Sequence, residues 1–143
     1  MLFRSILVAE DSVPSRLLVE ILLRQRGHKI VAVDNGELAV AAARAQQFDL
    51  AILDLQMPVI DGLTAARMMR ALPNALGPRK IVALTAQAFS DDRRAAAEAG
   101  MDGFLTKPFS AEEFDRLIGA LGFRAAPVPD ARLACADAAP IPS

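Results

Sequence analysis

Chemistry-bearing side chains stand at four separated places in this sequence. Glu10 and Asp11 are adjacent, Asp54 follows one apolar run, Thr85 follows another, and Lys107 precedes Pro108. Three carboxylates brought together repel one another, and burying them is costly unless something compensates. A hard divalent cation held by oxygen ligands is the natural compensation. Mg²⁺ fits best, because it takes one or two carboxylates together with waters and a phosphate. Lys107 adds a point charge and Thr85 a hydroxyl donor. Together they would neutralise the equatorial oxygens of a phosphoryl group in transfer. A carboxylate facing a metal and a lysine is then a plausible phosphoryl acceptor, since carboxylates serve as covalent nucleophiles.

Such a gathering needs elements that bring distant residues to one rim. Ser5–Ala9, Ile30–Val33, Leu50–Leu53, Ile81–Leu84 and Gly103–Leu105 are short apolar runs that read as strands. Between and after them lie helical patterns. Leu17, Leu18, Ile21 and Leu22 recur at helical spacing, with Ser12 as a cap, Pro14 in the first turn and Gly27 as the stop. An Ala-rich helix is expected from Glu37 to Gln46, and another from Leu63 to Leu72 ended by Pro73. Ser90-Asp91-Asp92 opens a helix closed by Gly100, and Ser110-Ala111-Glu112-Glu113 forms a capping box before Phe114, Leu117, Ile118 and Leu121. The strands read as buried on both faces. With strict alternation, that implies an α/β fold: an open, doubly wound parallel sheet of five strands flanked by five helices. In such a sheet ligands bind beyond the carboxyl ends of the strands, where Glu10-Asp11, Asp54, Thr85 and Thr106-Lys107 all fall.

Composition narrows the classes. The 143 residues suit one domain with a sizeable core, read as residues 1–123, followed by a flexible Pro/Ala-rich tail over 124–143. Sixteen basic residues against seventeen acidic ones give a net charge of −1, and so no reason to expect nucleic acid as a partner. No apolar run approaches membrane-spanning length, and the lone Cys135 excludes an internal disulfide or a paired-cysteine site. The expectation is a soluble, cytoplasmic protein with no membrane partner.

Glu10-Asp11, the stretch from Asp54 to Gly62, Leu84-Thr85-Ala86 and Lys107-Pro108-Phe109 together resemble the receiver domain of bacterial two-component response regulators. The resemblance covers about residues 5–122, and its local wording is similar to receivers of hybrid kinases and phosphorelays. It implies a flavodoxin-like fold with strand order 2-1-3-4-5. Asp54 would accept phosphate from a sensor histidine kinase or a histidine phosphotransfer protein. Asp11, Asp54 and the Gln56 backbone carbonyl would bind Mg²⁺, with Glu10 holding a metal-bound water. Lys107 would pair with Asp54 and then with the phosphoryl group, to which Thr85 would donate its hydroxyl. The Lys107–Pro108 bond would be cis. Gln56 and Gln87 would tune the lifetime of a phosphate that the domain itself hydrolyses. Thr85 and Phe104 would form the switch. Phe104 lacks the hydroxyl that many receivers have there, so its movement would rest on packing. A downstream protein would read the surface of the fourth helix, fifth strand and fifth helix.

Two other readings stand beside this one. A haloacid-dehalogenase-like, Mg²⁺-dependent phosphatase shares much of the residue set, but needs an acid/base carboxylate two residues after its nucleophile, where this chain has Gln56. A phosphate-independent pseudo-receiver would be a binding module only. Among the remaining residues, Asp61-Gly62 reads as a turn, His28 as solvated or capping, the methionines as packing, and Arg93 and Arg94 as a solvated helix face.

Overall fold

The computed structural model describes residues 5–73, 77–86 and 90–121. The proposed boundary at residue 123, the tail over 124–143, Cys135 and Gln87 lie outside the described residues. Five strands alternate with five helices: β1 (Ser5–Ala9), α1 (Val13–Gln25), β2 (Lys29–Val33), α2 (Gly36–Ala45), β3 (Leu50–Asp54), α3 (Gly62–Arg70), β4 (Lys80–Thr85), α4 (Ser90–Glu98), β5 (Gly103–Thr106) and α5 (Ala111–Ala120). The strands are parallel, in the order β2-β1-β3-β4-β5.

Alternation along each strand sends side chains to opposite faces and divides the core in two. On one face Ile6, Val8, Leu50, Ile52, Val82 and Leu84 pack against Val19, Leu22 and Leu23 of α1 and Phe114 and Ile118 of α5. On the other, Leu7, Ala9, Ala51, Leu53, Ile81 and Ala83 meet α2, α3 and α4. Each fully buried Leu or Ile contributes about 1.5–3 kcal/mol. Burial on both faces is complete in β3 and nearly so in β1 and β4. The edge strands differ from expectation: β2 and β5 stay largely half-exposed, because each has a neighbour on one side only.

The helix ends are mostly set by local chemistry. Asn35 accepts from the Leu38 N–H, Asp61 from the Thr64 N–H, and Ser110 and Glu113 form a reciprocal capping box. Gly27, at φ 82, follows α1, and the His28 N–H donates to the Leu23 carbonyl. Two expectations fail here. The Ser12 side chain makes no cap hydrogen bond, and Pro14 in the first turn has no N–H to offer it; the Ser12 backbone N–H donates to the Glu10 carboxylate. His28 is buried rather than solvated.

The helical pattern in α1 also divides unexpectedly. Of Leu17, Leu18, Ile21 and Leu22, only Leu22 is buried, and Val19 and Leu23 join it in the core. The apolar arc of α1 is wider than the strip that the sheet covers, so Val13, Leu17, Leu18 and Ile21 face outward. Arg26, the C-cap of α1, pairs with Asp115 of α5 through Nε and Nη2, which ties the two helices together on that face.

Candidate functional site

Strand register assembles the site. Ala9 pairs with Leu53, Asp54 with Leu84, and Thr85 with Thr106. The next residues therefore emerge on one rim: Glu10 and Asp11 beyond β1, Asp54 at the end of β3, Thr85 at the end of β4, and Lys107 beyond β5. Backbone hydrogen bonds carry the ladder past the strands, from Leu55 N–H to Leu84 O at 2.9 Å and from Lys107 N–H to Thr85 O at 2.7 Å. The Lys107–Pro108 peptide is cis.

The acidic groups converge. Glu10, Asp11 and Asp54 each offer an oxygen within 4.8 Å of the others, with Glu10 and Asp54 buried and Asp11 exposed. Lys107 reaches back across the sheet to join them. Its Nζ lies 2.6 Å from Glu10 Oε1 and 3.1 Å from Asp54 Oδ2. The remaining oxygens take backbone donors: the Gln56 N–H donates to Asp54 Oδ1 and the Ser12 N–H to Glu10 Oε2, both at 3.0 Å. Thr85 is buried beside them.

One ammonium does not neutralise this set. Burial pushes the Glu10 carboxyl up to about 7, helped by its hydrogen bond with Asp54 and opposed by Lys107 and Ser12. For Lys107, burial alone would favour the neutral amine. The hydrogen bonds to Glu10 and Asp54 outweigh it and raise its pKa above the ordinary 10.5. The donor set is therefore hard, oxygen-rich and short of positive charge, with one carboxylate open to solvent. Those features suit an ion that keeps part of its water shell.

The structure thus brings Glu10, Asp11, Asp54, Thr85 and Lys107 to one rim. It keeps Gln56 at the mouth with an exposed side chain. Phe104 sits lower on β5, half-buried, on the sheet face that holds Ala83. Sequence reasoning missed Arg16, whose Nη1 donates to the Glu10 carbonyl at 2.8 Å and ties the first turn of α1 to the acidic loop. The signal was its place one helical turn beyond Ser12. Sequence reasoning read Arg93 as part of a solvated face, and Arg93 is exposed, but it missed that the guanidinium carbon stands 4.7 Å from the centre of the Phe104 ring. Beside Lys107 a cleft of about 440 Å³ opens between Pro14, Ser15 and Leu18 of α1 and Pro108-Phe109.

The profile of the response regulator receiver domain matches residues 6–119. This chain belongs to that family. The receiver is 37% identical over 115 residues to the sensor histidine kinase GacS of Pseudomonas protegens, covering 79% of this chain and 12% of the kinase. It is 35% identical over 138 residues to the virulence sensor protein BvgS of Bordetella pertussis, covering 93% of this chain and 11% of that protein. The receiver therefore spans about a tenth of the length of these relatives. Among solved structures it is similar to the receiver domain of sensor histidine kinase PA1611 from Pseudomonas aeruginosa. The TM-score is 0.72 and the identity 37%, with 81% of this chain and 98% of that chain covered. That structure has a magnesium ion coordinated in its active-site cleft. The chain is thus a phosphoacceptor signalling domain rather than an enzyme with a separate substrate. The phosphatase and pseudo-receiver readings are not favoured. No helix among the described residues is long and apolar enough to cross a membrane.

Proposed function

We propose that Asp54 takes a phosphoryl group from a phosphohistidine on a sensor histidine kinase or a histidine phosphotransfer protein. The observation that carries this reading is the convergence of Glu10, Asp11, Asp54 and the Lys107 ammonium at one rim. Asp54 Oδ1 is engaged by the Gln56 N–H and Oδ2 by the Lys107 ammonium, so Oδ2 becomes the attacking atom once Lys107 turns to the phosphoryl group. As the new O–P bond forms, the P–N bond breaks and the imidazole leaves with the electron pair. Asp11, Asp54 and the Gln56 carbonyl are the residues to hold Mg²⁺, with Glu10 holding a water beside it. When bound, Mg²⁺ supplies positive charge against the phosphoryl oxygens. Lys107 moves its ammonium from the Asp54 carboxylate to the phosphoryl group, and Thr85 donates its hydroxyl to another oxygen.

Thr85 drawn toward the phosphoryl group leaves space behind it that the Phe104 ring fills, and the α4-β5-α5 surface reports the change to a downstream protein. The domain hydrolyses its own acyl phosphate, and the side chains of Gln56 and Gln87 set how fast. These steps belong to the cytoplasm, where phosphohistidine donors work. The exposed apolar row Val13, Leu17 and Ile21 beside the site supports a protein rather than a small molecule as the natural donor.

Incubation with Mg²⁺ and acetyl phosphate tests the reading. The intact chain should gain one phosphoryl mass, mapped to Asp54, and EDTA should prevent the gain. Asp54→Ala should keep its fold and lose the label. A label retained in that variant would place the acceptor elsewhere.

A further inference from the structure

Arg93 and Phe104 form a contact that the phosphoacceptor chemistry leaves unused. The Arg93 guanidinium carbon stands 4.7 Å from the centre of the Phe104 ring, within cation–π range. Arg93 is an exposed residue of α4, whereas Phe104 is half-buried against the core of that sheet face. In the β4–β5 register Phe104 lies opposite Ala83 and Thr106 lies opposite Thr85. Phe104 and Thr85 therefore share one face on adjacent strands, with the small Ala83 opposite Phe104. A phenylalanine ring has no hydroxyl, so no hydrogen bond can hold it at either position. The Arg93 cation lies over its face.

We propose that Arg93 is a latch that keeps Phe104 at the surface in the unphosphorylated chain. The ring leaves the guanidinium when it moves toward Thr85, so α4 feels the state of Asp54 through one side-chain contact. This rests on the phosphoacceptor reading above and adds to it a residue that sets the resting equilibrium. Linkage gives the consequence: whatever stabilises the resting conformation weakens binding of the phosphoryl group, or its mimic, by the same factor. One contact of this kind near the surface corresponds to about two- to five-fold. The acidic side chains near Arg93 on its own helix, Asp91 and Asp92, precede it in the first turn. The ring itself carries no competing charge.

The test is a titration of the full chain with beryllofluoride in the presence of Mg²⁺, followed by calorimetry and by the aromatic resonances of Phe104. Arg93→Ala should bind the mimic about two- to five-fold more tightly and shift the resting Phe104 resonances toward those of the bound form. Arg93→Lys, which keeps a cation, should recover part of the difference. Arg94→Ala, a neighbouring exposed arginine of the same helix, should match the unaltered chain. Unchanged or weaker binding in Arg93→Ala overturns the latch, as does an equal gain in Arg94→Ala, which would mark a general charge effect. An unaltered chain that binds no mimic overturns the latch and the phosphoacceptor reading together. Binding without an Arg93 effect removes the latch alone.

Discussion

Gly62 is pressed against the backbone of Asp54. A Cβ on Gly62 would stand 2.3 Å from the Asp54 carbonyl oxygen and 2.9 Å from its carbonyl carbon. No real Cβ approaches backbone so closely, and neither partner is a flexible side chain that could yield. The Gly62 N–H also donates to the Leu55 carbonyl at 3.1 Å, so the first turn of α3 is stitched to the end of β3. Gly62→Ala should therefore displace α3 from the acceptor strand. The expected result is a loss of about 2–4 kcal/mol in stability and a large drop in Asp54 labelling. Denaturant unfolding and acetyl phosphate labelling measure the two. Unaltered behaviour in both would mean the approach is looser than described.

The Glu10 carboxyl, lifted from 4.5 to about 7, makes stability depend on pH. Between those values the folded chain holds a proton that the unfolded chain has released. Stability from this group is thus complete below the ordinary value and is lost as pH rises through about 7. In EDTA, the thermal midpoint should fall between about pH 5 and pH 8, and Glu10→Gln should flatten that slope. The raised Lys107 pKa acts only near and above 10.5, outside this window. An equal slope in Glu10→Gln would assign the titration to another group.

Lys107→Ala removes the one ammonium shared by Glu10 and Asp54. In EDTA near neutral pH Glu10, no longer drawn down by Lys107, would hold its proton more tightly, and the buried Asp54 carboxylate would lose its ammonium partner, at a cost of up to about 3 kcal/mol. Mg²⁺ should still bind and should restore more stability to this variant than to the unaltered chain. Beryllofluoride should no longer move the Phe104 resonances. Normal coupling in this variant would refute the role given to Lys107.

Val59 holds a left-handed backbone, φ 71, while 73% of its surface is exposed. A β-branched residue there carries strain of about 1–3 kcal/mol. Val59→Gly should relieve it. After the extra chain entropy of glycine, the gain should be about 1 kcal/mol, or a few degrees in the thermal midpoint. A lower midpoint would show that the loop is not strained at Val59.

The sequence by itself determined the architecture and which residues gather. Apolar runs without alternation can satisfy only a parallel sheet covered on both sides, and β1, β3 and β4 are buried in that way. Once those strands are parallel, the residue after each strand must emerge on the same rim, so Glu10, Asp11, Asp54, Thr85 and Lys107 were legible as a group. The Ser110 capping box was equally legible as a local signal, because a cap bonds to backbone only three residues away, whereas Asp61, read as a turn, proved to cap α3.

Only the tertiary structure decided which apolar side chains of α1 stay outside, because a helical pattern does not say how wide a strip the sheet will cover. It buried His28, drew the Ser12 N–H to Glu10, and set Arg16 on the Glu10 carbonyl. It also laid Arg93 on Phe104, a contact between α4 and β5. These relationships join residues whose own neighbours in sequence are silent about the pairing. Contact across elements is fixed by packing distance and charge, quantities that exist only once the chain has folded.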